Sequence, residues 1–158
     1  MFETEADMAM TALPFVLDEF DYTKNGIKFI EEPKGLFGIP DLLLFNGHII
    51  AIEFKLRNWK QAIKQAYRYK SFSEESYVLL DRDYVEKAKE NIDIFTKFNI
   101  GLAAVDENKI EFYYRPKLVK PFSLDLTQKA LSLFKEESEV HKFSFMGRVE
   151  NDKTKEGI

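Results

Sequence analysis

The sequence contains no cysteine, which excludes disulfide bonds, thiolate metal sites and cysteine nucleophiles. It has only two histidines, too few for a histidine-rich zinc site without carboxylate ligands. No stretch reaches the roughly 20 apolar residues that a membrane-spanning helix needs. The acidic start Met-Phe-Glu-Thr-Glu also lacks the apolar core of a secretory signal. We therefore expect a cytoplasmic protein without membrane contact, in which oxygen ligands hold any metal.

The aromatic content is high and indicates a folded domain. Apolar residues make up 45% of the 158 residues, and they include 15 phenylalanines and 7 tyrosines. A disordered chain does not carry so many large apolar side chains, and this length suits one domain with a real core. We predict a single domain over residues 1–149, followed by a polar C-terminal tail over residues 150–158 that is expected to fray.

The charge is acidic overall but uneven along the chain. The formal net charge is −4, yet the segment Lys55–Lys70 carries six basic residues and no acidic one, so the rest of the chain sums to −10. Such a segment can bind phosphates, or it can be an ordinary solvated helix surface. A second basic cluster, Arg115, Lys117 and Lys120, is interleaved with Tyr113, Tyr114 and Phe122. It can bind single strands by stacking, although a strand end packed on the core is the favoured interpretation.

Periodicity and turn signals predict elements in the order α-β-β-β-α-β-α-β-β-α. The predicted helices cover about 2–20, with a kink at Pro14, and about 58–72, 83–98 and 125–137. The predicted strands cover 27–32, 41–45, 48–55, 77–80, 100–105 and 109–114. Asn58 is a predicted N-cap, and Asp125 with Gln128 resembles a capping box. Hairpins combined with β-α-β units predict an α/β fold with a mixed sheet and helices on its faces.

Three charged residues lie at the ends of apolar strands. Asp41 begins the run Leu-Leu-Leu-Phe, whereas Glu53 and Lys55 close the run Ile-Ile-Ala-Ile-Glu-Phe-Lys. Burying such charges is unfavourable unless they pair with each other or bind a metal. Glu53 and Lys55 are two residues apart in a strand, so they point to the same face of the sheet.

The hairpin register decides whether Asp41 joins them. A two-residue loop at Asn46-Gly47 would turn Asp41 to the other face. A three-residue loop, Phe45–Gly47, pairs Leu44 with His48 and Asp41 with Ala51, and it needs Gly47 in a left-handed conformation. We choose the three-residue loop because it alone separates the polar face from a uniformly apolar one. The predicted apolar face consists of Leu42, Leu44, Ile50, Ile52 and Phe54.

Two carboxylates and a lysine on one face are suited to phosphodiester hydrolysis. Carboxylates can hold Mg²⁺ or Mn²⁺, which prefer oxygen ligands and retain several waters. Such a metal stabilises charge on a phosphate oxygen and helps to ionise an attacking water. A neighbouring lysine can orient that water or stabilise the developing charge.

Pro40-Asp41 followed by Glu53-Phe54-Lys55 resembles the motif of the PD-(D/E)XK nuclease superfamily, which has a restriction-endonuclease-like fold. The resemblance covers about residues 3–105. It implies that Asp41 and Glu53 are metal ligands, that the Phe54 carbonyl is a further ligand, and that Lys55 is the catalytic lysine. Many members also carry Gln-x-x-x-Tyr on the next helix, which Gln65 and Tyr69 match.

The resemblance further implies a glutamate on the first helix, for which Glu5 is the candidate and Glu3 the alternative. The expected function is a Mg²⁺- or Mn²⁺-dependent nuclease, either an endo- or an exodeoxyribonuclease, that hydrolyses phosphodiester bonds in DNA. The catalytic set would be Asp41, Glu53, Lys55, Gln65 and Glu5. The expected nucleic-acid contacts are Arg57, Lys60, Lys64, Arg68 and Tyr69.

Other functions remain open at the level of the sequence. The chain can be an inactive nuclease-fold module that binds nucleic acid or a partner protein within a larger complex. It can also be a protein-interaction or inhibitor protein, and the charged set can be a simple ion pair at a strand end. The sequence does not decide between DNA and RNA, between single and double strands, or between a monomer and a homodimer.

Overall fold

A computed structural model of the chain describes residues 1–136, 140–143 and 149–151. The described strands form one eight-stranded mixed sheet in the order β6-β5-β4-β3-β2-β1-β7-β8. They are β1 Ile27–Glu31, β2 Leu42–Phe45, β3 Ile49–Lys55, β4 Glu75–Asp81, β5 Gly101–Val105, β6 Ile110–Tyr114, β7 His141–Phe143 and β8 Val149–Asn151. The pairs β3–β4 and β4–β5 are parallel, and the other neighbours are antiparallel.

Helices pack on both faces of the sheet, which confirms the predicted α/β class. They are α1 Glu5–Phe20, α2 Trp59–Tyr69, α3 Glu86–Glu90, α4 Ile92–Phe98 and α5 Leu124–Lys135, with a short 3-10 helix at Arg82–Tyr84. Helix α1 packs on one face against the five residues of the predicted apolar face, all of which are buried there. Helices α2, α4 and α5 contribute buried side chains to the core on the opposite face.

Local sequence explains the two helices that flank the candidate site. Thr4 caps α1 by accepting a hydrogen bond from the Asp7 amide, and Asn58 caps α2 by accepting one from the Gln61 amide. Pro14 lies within α1. The buried face of α2 contains Trp59, Ala62, Ile63, Ala66 and Tyr69, at the spacing expected of an amphipathic helix.

The register of the β2–β3 hairpin differs from the predicted one by two residues. Leu44 pairs with Ile50, not with His48, so the loop is 46–48. Asn46 sets this turn: its Oδ1 accepts from the His48 amide at 3.1 Å, and its Nδ2 donates to the Phe20 carbonyl at 2.8 Å. Gly47 has a positive φ of 102°, as the three-residue loop requires. Because the shift is an even number of residues, the predicted faces are preserved.

The predicted helix over 83–98 is wrong as a single element. It is divided into the 3-10 helix, α3 and α4, and the break between α3 and α4 lies at Asn91. The Asn91 side chain donates to the Lys87 carbonyl at 2.8 Å. Asparagine side chains compete in this way with the helical backbone, and Asn91 adopts a non-helical conformation.

The C-terminal part also differs from the prediction. Ser123 caps α5, accepting from the Leu126 amide at 3.1 Å, so the predicted capping box at Asp125 and Gln128 is wrong. Strands β7 and β8 were not predicted, and β8 extends to Asn151, past the predicted start of the tail. The remainder of that tail, residues 152–158, lies outside the described residues. In the described part of the chain, no helix is long and apolar enough to span a membrane.

Candidate functional site

The ends of three strands meet at one edge of the sheet. Strand β1 ends at Glu31, which pairs with Leu42 at the start of β2, and Leu42 in turn pairs with Ile52 near the end of β3. Asp41 therefore lies beside Glu53 at the point where β2 begins and β3 ends. Lys55 follows two residues later on the same face, so the structure brings together the three residues that the sequence placed on one face.

Asp41 is half-buried and is held by the backbone on both sides. Its Oδ2 accepts a 2.7 Å hydrogen bond from the Phe54 amide, and its carbonyl accepts one from the Glu32 amide at 3.1 Å. Burial raises the pKa of Asp41 to about 6, with Glu5 and Glu32 adding to the rise, whereas the Phe54 hydrogen bond and Lys55 oppose it. The carboxylate is thus fixed in place while its charge is poorly compensated.

Glu53 is buried, with 5% of its surface exposed. Its pKa is raised to about 7: burial is the main cause and the neighbouring Asp41 adds to the rise, whereas the Tyr69 hydroxyl and Lys55 oppose it. Two adjacent carboxyl groups that both resist ionisation form an arrangement that a cation would stabilise.

Tyr69 connects α2 to Glu53. Its hydroxyl lies 2.6 Å from Glu53 Oε1 and 3.0 Å from the Ile39 carbonyl, and the ring is buried. A tyrosine hydroxyl has one proton, so it donates to ionised Glu53. When Glu53 is protonated, that carboxyl can donate to the Tyr69 oxygen, while the Tyr69 proton turns to Ile39. The bond to the ionised carboxylate is the stronger of the two, so Tyr69 lowers the pKa of Glu53.

Gln65 lies one turn before Tyr69 on the same side of α2, as predicted. Its Oε1 is buried and has no hydrogen-bond partner within the described residues. A buried carbonyl oxygen without a donor is rare in folded proteins, so this position calls for a water or another donor. Lys55 is half-buried, and it makes no ion pair within 4 Å in the ranges that the structure describes.

The first helix supplies Glu5 to this edge. Its Oε2 accepts a hydrogen bond from the Leu56 amide at 3.2 Å, and its charge raises the pKa of both Asp41 and Glu53. Glu5 and the alternative, Glu3, are both exposed, so the hydrogen bond from Leu56 is what assigns Glu5 to this edge. The sequence analysis missed Glu32, which lies just past β1 with a positive φ of 48° and raises the pKa of Asp41. Its position at the end of a strand paired with β2 was the available signal.

A cleft of about 510 Å³ opens beside Asp41, between α1 and the ends of β1 and β2. Four carboxylates line it, those of Glu5, Glu31, Glu32 and Asp41, together with apolar side chains that include Met10. Such an acidic opening repels phosphate unless a cation is held there.

The predicted nucleic-acid contacts divide into two groups. Lys60, Lys64 and Arg68 are exposed along α2, where they can reach a ligand, and Arg57 is exposed with its guanidinium 4.8 Å from the centre of the Tyr84 ring. Tyr69 is corrected: its ring is only 1% exposed and its hydroxyl is engaged with Glu53, so it cannot contact a nucleic acid.

The second basic cluster follows the favoured interpretation, a strand end packed on the core, because Tyr113 and Tyr114 pack against the core beneath α2. Tyr113 and Tyr114 are only half-exposed; the Tyr114 hydroxyl donates to Asn99, and Lys89 lies over the Tyr113 ring. Arg115 pairs with Glu19 on α1. Only Lys117, Lys120 and Phe122 of that cluster are exposed without these contacts.

The residues at this edge fit a cation that needs few protein ligands. Within residues 1–136, 140–143 and 149–151, no group of three or more His, Cys, Asp or Glu side chains is arranged to hold a metal. Asp41 and Glu53 offer two carboxylates, each with one oxygen already hydrogen-bonded. Mg²⁺ is commonly held by one or two carboxylates, waters and substrate phosphates, so this pair fits it and does not fit an all-protein Ca²⁺ cage.

Comparison with protein-family models gives no match, and comparison with curated proteins gives no significant match. A solved structure, the SPO1766 protein of unknown function from Silicibacter pomeroyi, is similar to this chain with a TM-score of 0.50 and 16% sequence identity. The similarity covers 77% of this chain and 84% of that chain. At this level of identity it supports the fold alone.

Proposed function

We propose that this protein is a metal-dependent nuclease with a restriction-endonuclease-like fold, which hydrolyses phosphodiester bonds in DNA. The observation that carries the proposal is the position of Asp41, Glu53 and Lys55 on one face of the sheet, where the pKa values of both carboxyl groups are raised. The match between Gln65 and Tyr69 and the family pattern adds support, because Tyr69 holds Glu53 directly.

Each residue has a distinct role in the proposed reaction. Asp41 and Glu53 would hold Mg²⁺ or Mn²⁺, with the Phe54 carbonyl as a further ligand. The bound metal would supply charge to a phosphate oxygen and lower the pKa of a coordinated water. Lys55 stabilises the charge that develops on the phosphate or orients the water, Tyr69 fixes the Glu53 carboxylate, and Gln65 and Glu5 position groups around the pair.

The test is incubation with supercoiled, linear, single-stranded and branched DNA in Mg²⁺, Mn²⁺ or EDTA. We expect cleavage that requires the metal and is lost in both Asp41→Asn and Glu53→Gln. Lys135→Gln, an exposed substitution on α5, is the matched control for purification and handling. Equal cleavage by wild type and both carboxyl variants would identify a contaminating nuclease and refute the proposal.

A second candidate is a catalytically inactive module of the same fold that binds nucleic acid or a partner protein. It is favoured by the lack of a three-ligand metal group within the described residues. It predicts salt-dependent DNA binding that is the same in Mg²⁺ and EDTA and is not followed by cleavage. The same incubation therefore separates the two candidates.

A further inference from the structure

Three aromatic rings form an exposed cluster on the outer side of α2, away from Tyr69. Tyr67, Phe98 and Phe122 are 43%, 41% and 56% exposed, and they are called the aromatic patch below. The Tyr67 ring centre lies 5.6 Å from that of Phe98 and 5.7 Å from that of Phe122. These rings come from three separate parts of the chain, so the tertiary fold assembles them. Exposed apolar surface of this kind commonly marks a binding site.

Cations surround the aromatic patch. The Lys70 ammonium lies 5.7 Å from the Tyr67 ring centre and 5.5 Å from that of Phe122, and it is anchored by donating to the Phe98 carbonyl at 2.7 Å. The exposed Lys97 lies 5.6 Å from the Phe98 ring centre. The rings are therefore bordered by positive charge as well as by each other.

Two of the three chain segments that meet at the patch, those of Tyr67 and Phe122, carry charge of one sign. Residues 55–73 and residues 112–124 contain no acidic residue, although the whole chain is acidic. Backbone hydrogen bonds join the two segments at the patch, from the Phe122 amide to the Lys70 carbonyl at 3.0 Å and from the Ser123 amide to the Ser71 carbonyl at 2.9 Å. A basic surface with exposed rings complements a polyanion that carries flat bases.

A further aromatic ring and a further cation lie between the patch and the candidate site. The exposed Phe37 ring lies 5.7 Å from the guanidinium of Arg68, the neighbour of Tyr67 along α2. The same loop touches the site, because Gly38 lies against the Tyr69 ring and the Ile39 carbonyl accepts from the Tyr69 hydroxyl. Exposed rings with cations thus extend from the patch to the loop beside Glu53.

We propose that the aromatic patch binds single-stranded nucleic acid, with unpaired bases stacking on Tyr67, Phe98 and Phe122 and with Lys97 and Arg68 contacting phosphates. Bases in a duplex have their faces covered by their neighbours, so rings on a surface reach base faces only in unpaired stretches. The inference rests on the proposed function in one respect, namely that the bound strand leads to the Asp41–Glu53 site.

The test measures fluorescence anisotropy of a labelled short oligo(dT) in EDTA, where cleavage plays no part. Phe122→Ala and Tyr67→Ala should each weaken binding by roughly 5- to 150-fold, the range for loss of one stacked base. Tyr67→Phe keeps the ring and should bind as wild type does. Leu118→Ala is the matched control, because Leu118 is 53% exposed on the same loop as Phe122 but has no ring.

An abasic oligomer of the same length and a blunt duplex complete the design. Both should bind more weakly than oligo(dT), because neither offers a free base face. Unchanged affinity in Phe122→Ala and Tyr67→Ala, equal binding of the abasic oligomer, or no oligo(dT) binding by wild type would each overturn the inference. Phe122→Leu tests the remaining interpretation, that the patch is a general apolar surface suited to a partner protein. Binding of oligo(dT) that is retained in this variant would indicate such a surface and would also overturn the inference.

The inference and the proposed function can fail separately. Wild-type protein that binds oligo(dT) through these rings, yet cuts no DNA in Mg²⁺, would retain the patch and refute the nuclease. Protein that cuts DNA, but whose ring variants bind oligo(dT) normally, would retain the nuclease and refute the patch.

Discussion

The Tyr69 hydroxyl lies 2.6 Å from Oε1 of Glu53, and this contact joins the helix after the hairpin to the buried carboxyl group. The ring of Tyr69 is buried in the core beneath α2, so the hydroxyl has a fixed position. Glu53 therefore has one oxygen held by the protein and a second that is not hydrogen-bonded within the described residues.

Tyr69→Phe should shift the pH dependence of cleavage without unfolding the protein. The hydrogen bond from Tyr69 lowers the pKa of Glu53, so its removal raises that pKa further. A hydrogen bond to a charged group contributes about 1.5–3 kcal/mol, which corresponds to a shift of about one to two pH units. A pH profile of Mg²⁺-dependent cleavage should show its lower midpoint moved to higher pH.

The control for this prediction is Tyr22→Phe, which removes an exposed hydroxyl at the far end of α1. It should leave the midpoint unchanged. If Tyr69→Phe also leaves it unchanged while lowering the rate, the hydroxyl acts in some way other than through the charge of Glu53.

Glu53→Gln and Asp41→Asn should be neutral or stabilising in EDTA at neutral pH. The folded-state pKa is about 7 for Glu53 and about 6 for Asp41, and both values lie above the usual ones. Well below pH 3.8, the ordinary pKa of Asp, both the folded and unfolded states are protonated, and no stability is lost. As pH rises from about 4 to 7, the unfolded state releases its protons first, so the free energy of unfolding falls.

Thermal melts from pH 4 to pH 8 test this directly. The wild type should lose stability across the interval, and each variant should lose less, by a few °C in Tm at pH 8. Glu75, whose pKa is also raised by burial, contributes a decline of the same sign, so the difference between wild type and variant is the relevant quantity. If the Tm of wild type and that of Glu53→Gln fall in parallel as the pH rises, the assignment of a raised pKa to Glu53 is contradicted.

Mg²⁺ should raise the Tm of the wild type and leave that of Asp41→Asn unchanged. A ligand that binds only the folded state stabilises it by an amount that grows with the logarithm of the ligand concentration above its Kd, about 2.7 kcal/mol at 100 times the Kd. Glu75→Gln is the matched control, because it neutralises a different buried carboxyl, at the opposite end of the β3–β4 pairing. It should retain the full Mg²⁺ effect, and an equal Mg²⁺ effect in Asp41→Asn would place the metal elsewhere.

The strand period placed Glu53 and Lys55 on one face, and the choice of a three-residue loop placed Asp41 with them. The predicted register was wrong by two residues, because Asn46 hydrogen-bonds to His48 and moves the turn one position along the chain. The face of Asp41 was nevertheless correct, since side chains alternate with a period of two and an even shift preserves the face. The apolar side chains of Ile50, Ile52 and Phe54 identified the buried face, so the polar face was correct despite the error in register.

Features that depend on tertiary contacts were not predictable in the same way. Tyr69 matched a family pattern, but its burial against Glu53 depends on how α2 packs on the sheet. Glu32 enters the site only because β1 pairs with β2. The aromatic patch joins α2, α4 and the loop before α5, whereas the sequence grouped Phe122 with nearby Tyr113 and Tyr114.

Lys55→Ala should bind DNA and metal nearly as wild type does and lose most of its cleavage. Lys55 is half-buried and lies on the same face as Glu53, so its charge acts where the phosphate would react. An interaction that strengthens in the transition state affects kcat far more than KM, and the loss of one such group lowers the rate by about 100- to 1,000-fold. Single-turnover cleavage with the protein in excess over DNA measures this, and a wild-type rate in Lys55→Ala would remove the residue from the mechanism.

Lys64→Ala and Arg68→Ala should show the opposite signature, namely weaker binding with little change in turnover at saturating DNA. Both side chains are exposed on α2, beyond the Asp41–Glu53 pair, so they can bind phosphates without touching the reacting group. Removing one cation that binds a phosphate should reduce the slope of log affinity against log salt by about 0.7 to 0.9. Substrate titrations at several salt concentrations measure the slope, and Lys135→Ala on α5 controls for the general removal of one positive charge. A slope unchanged from wild type in both variants would show that α2 is an ordinary solvated surface, because a cation that neutralises a phosphate must release counterions when DNA binds.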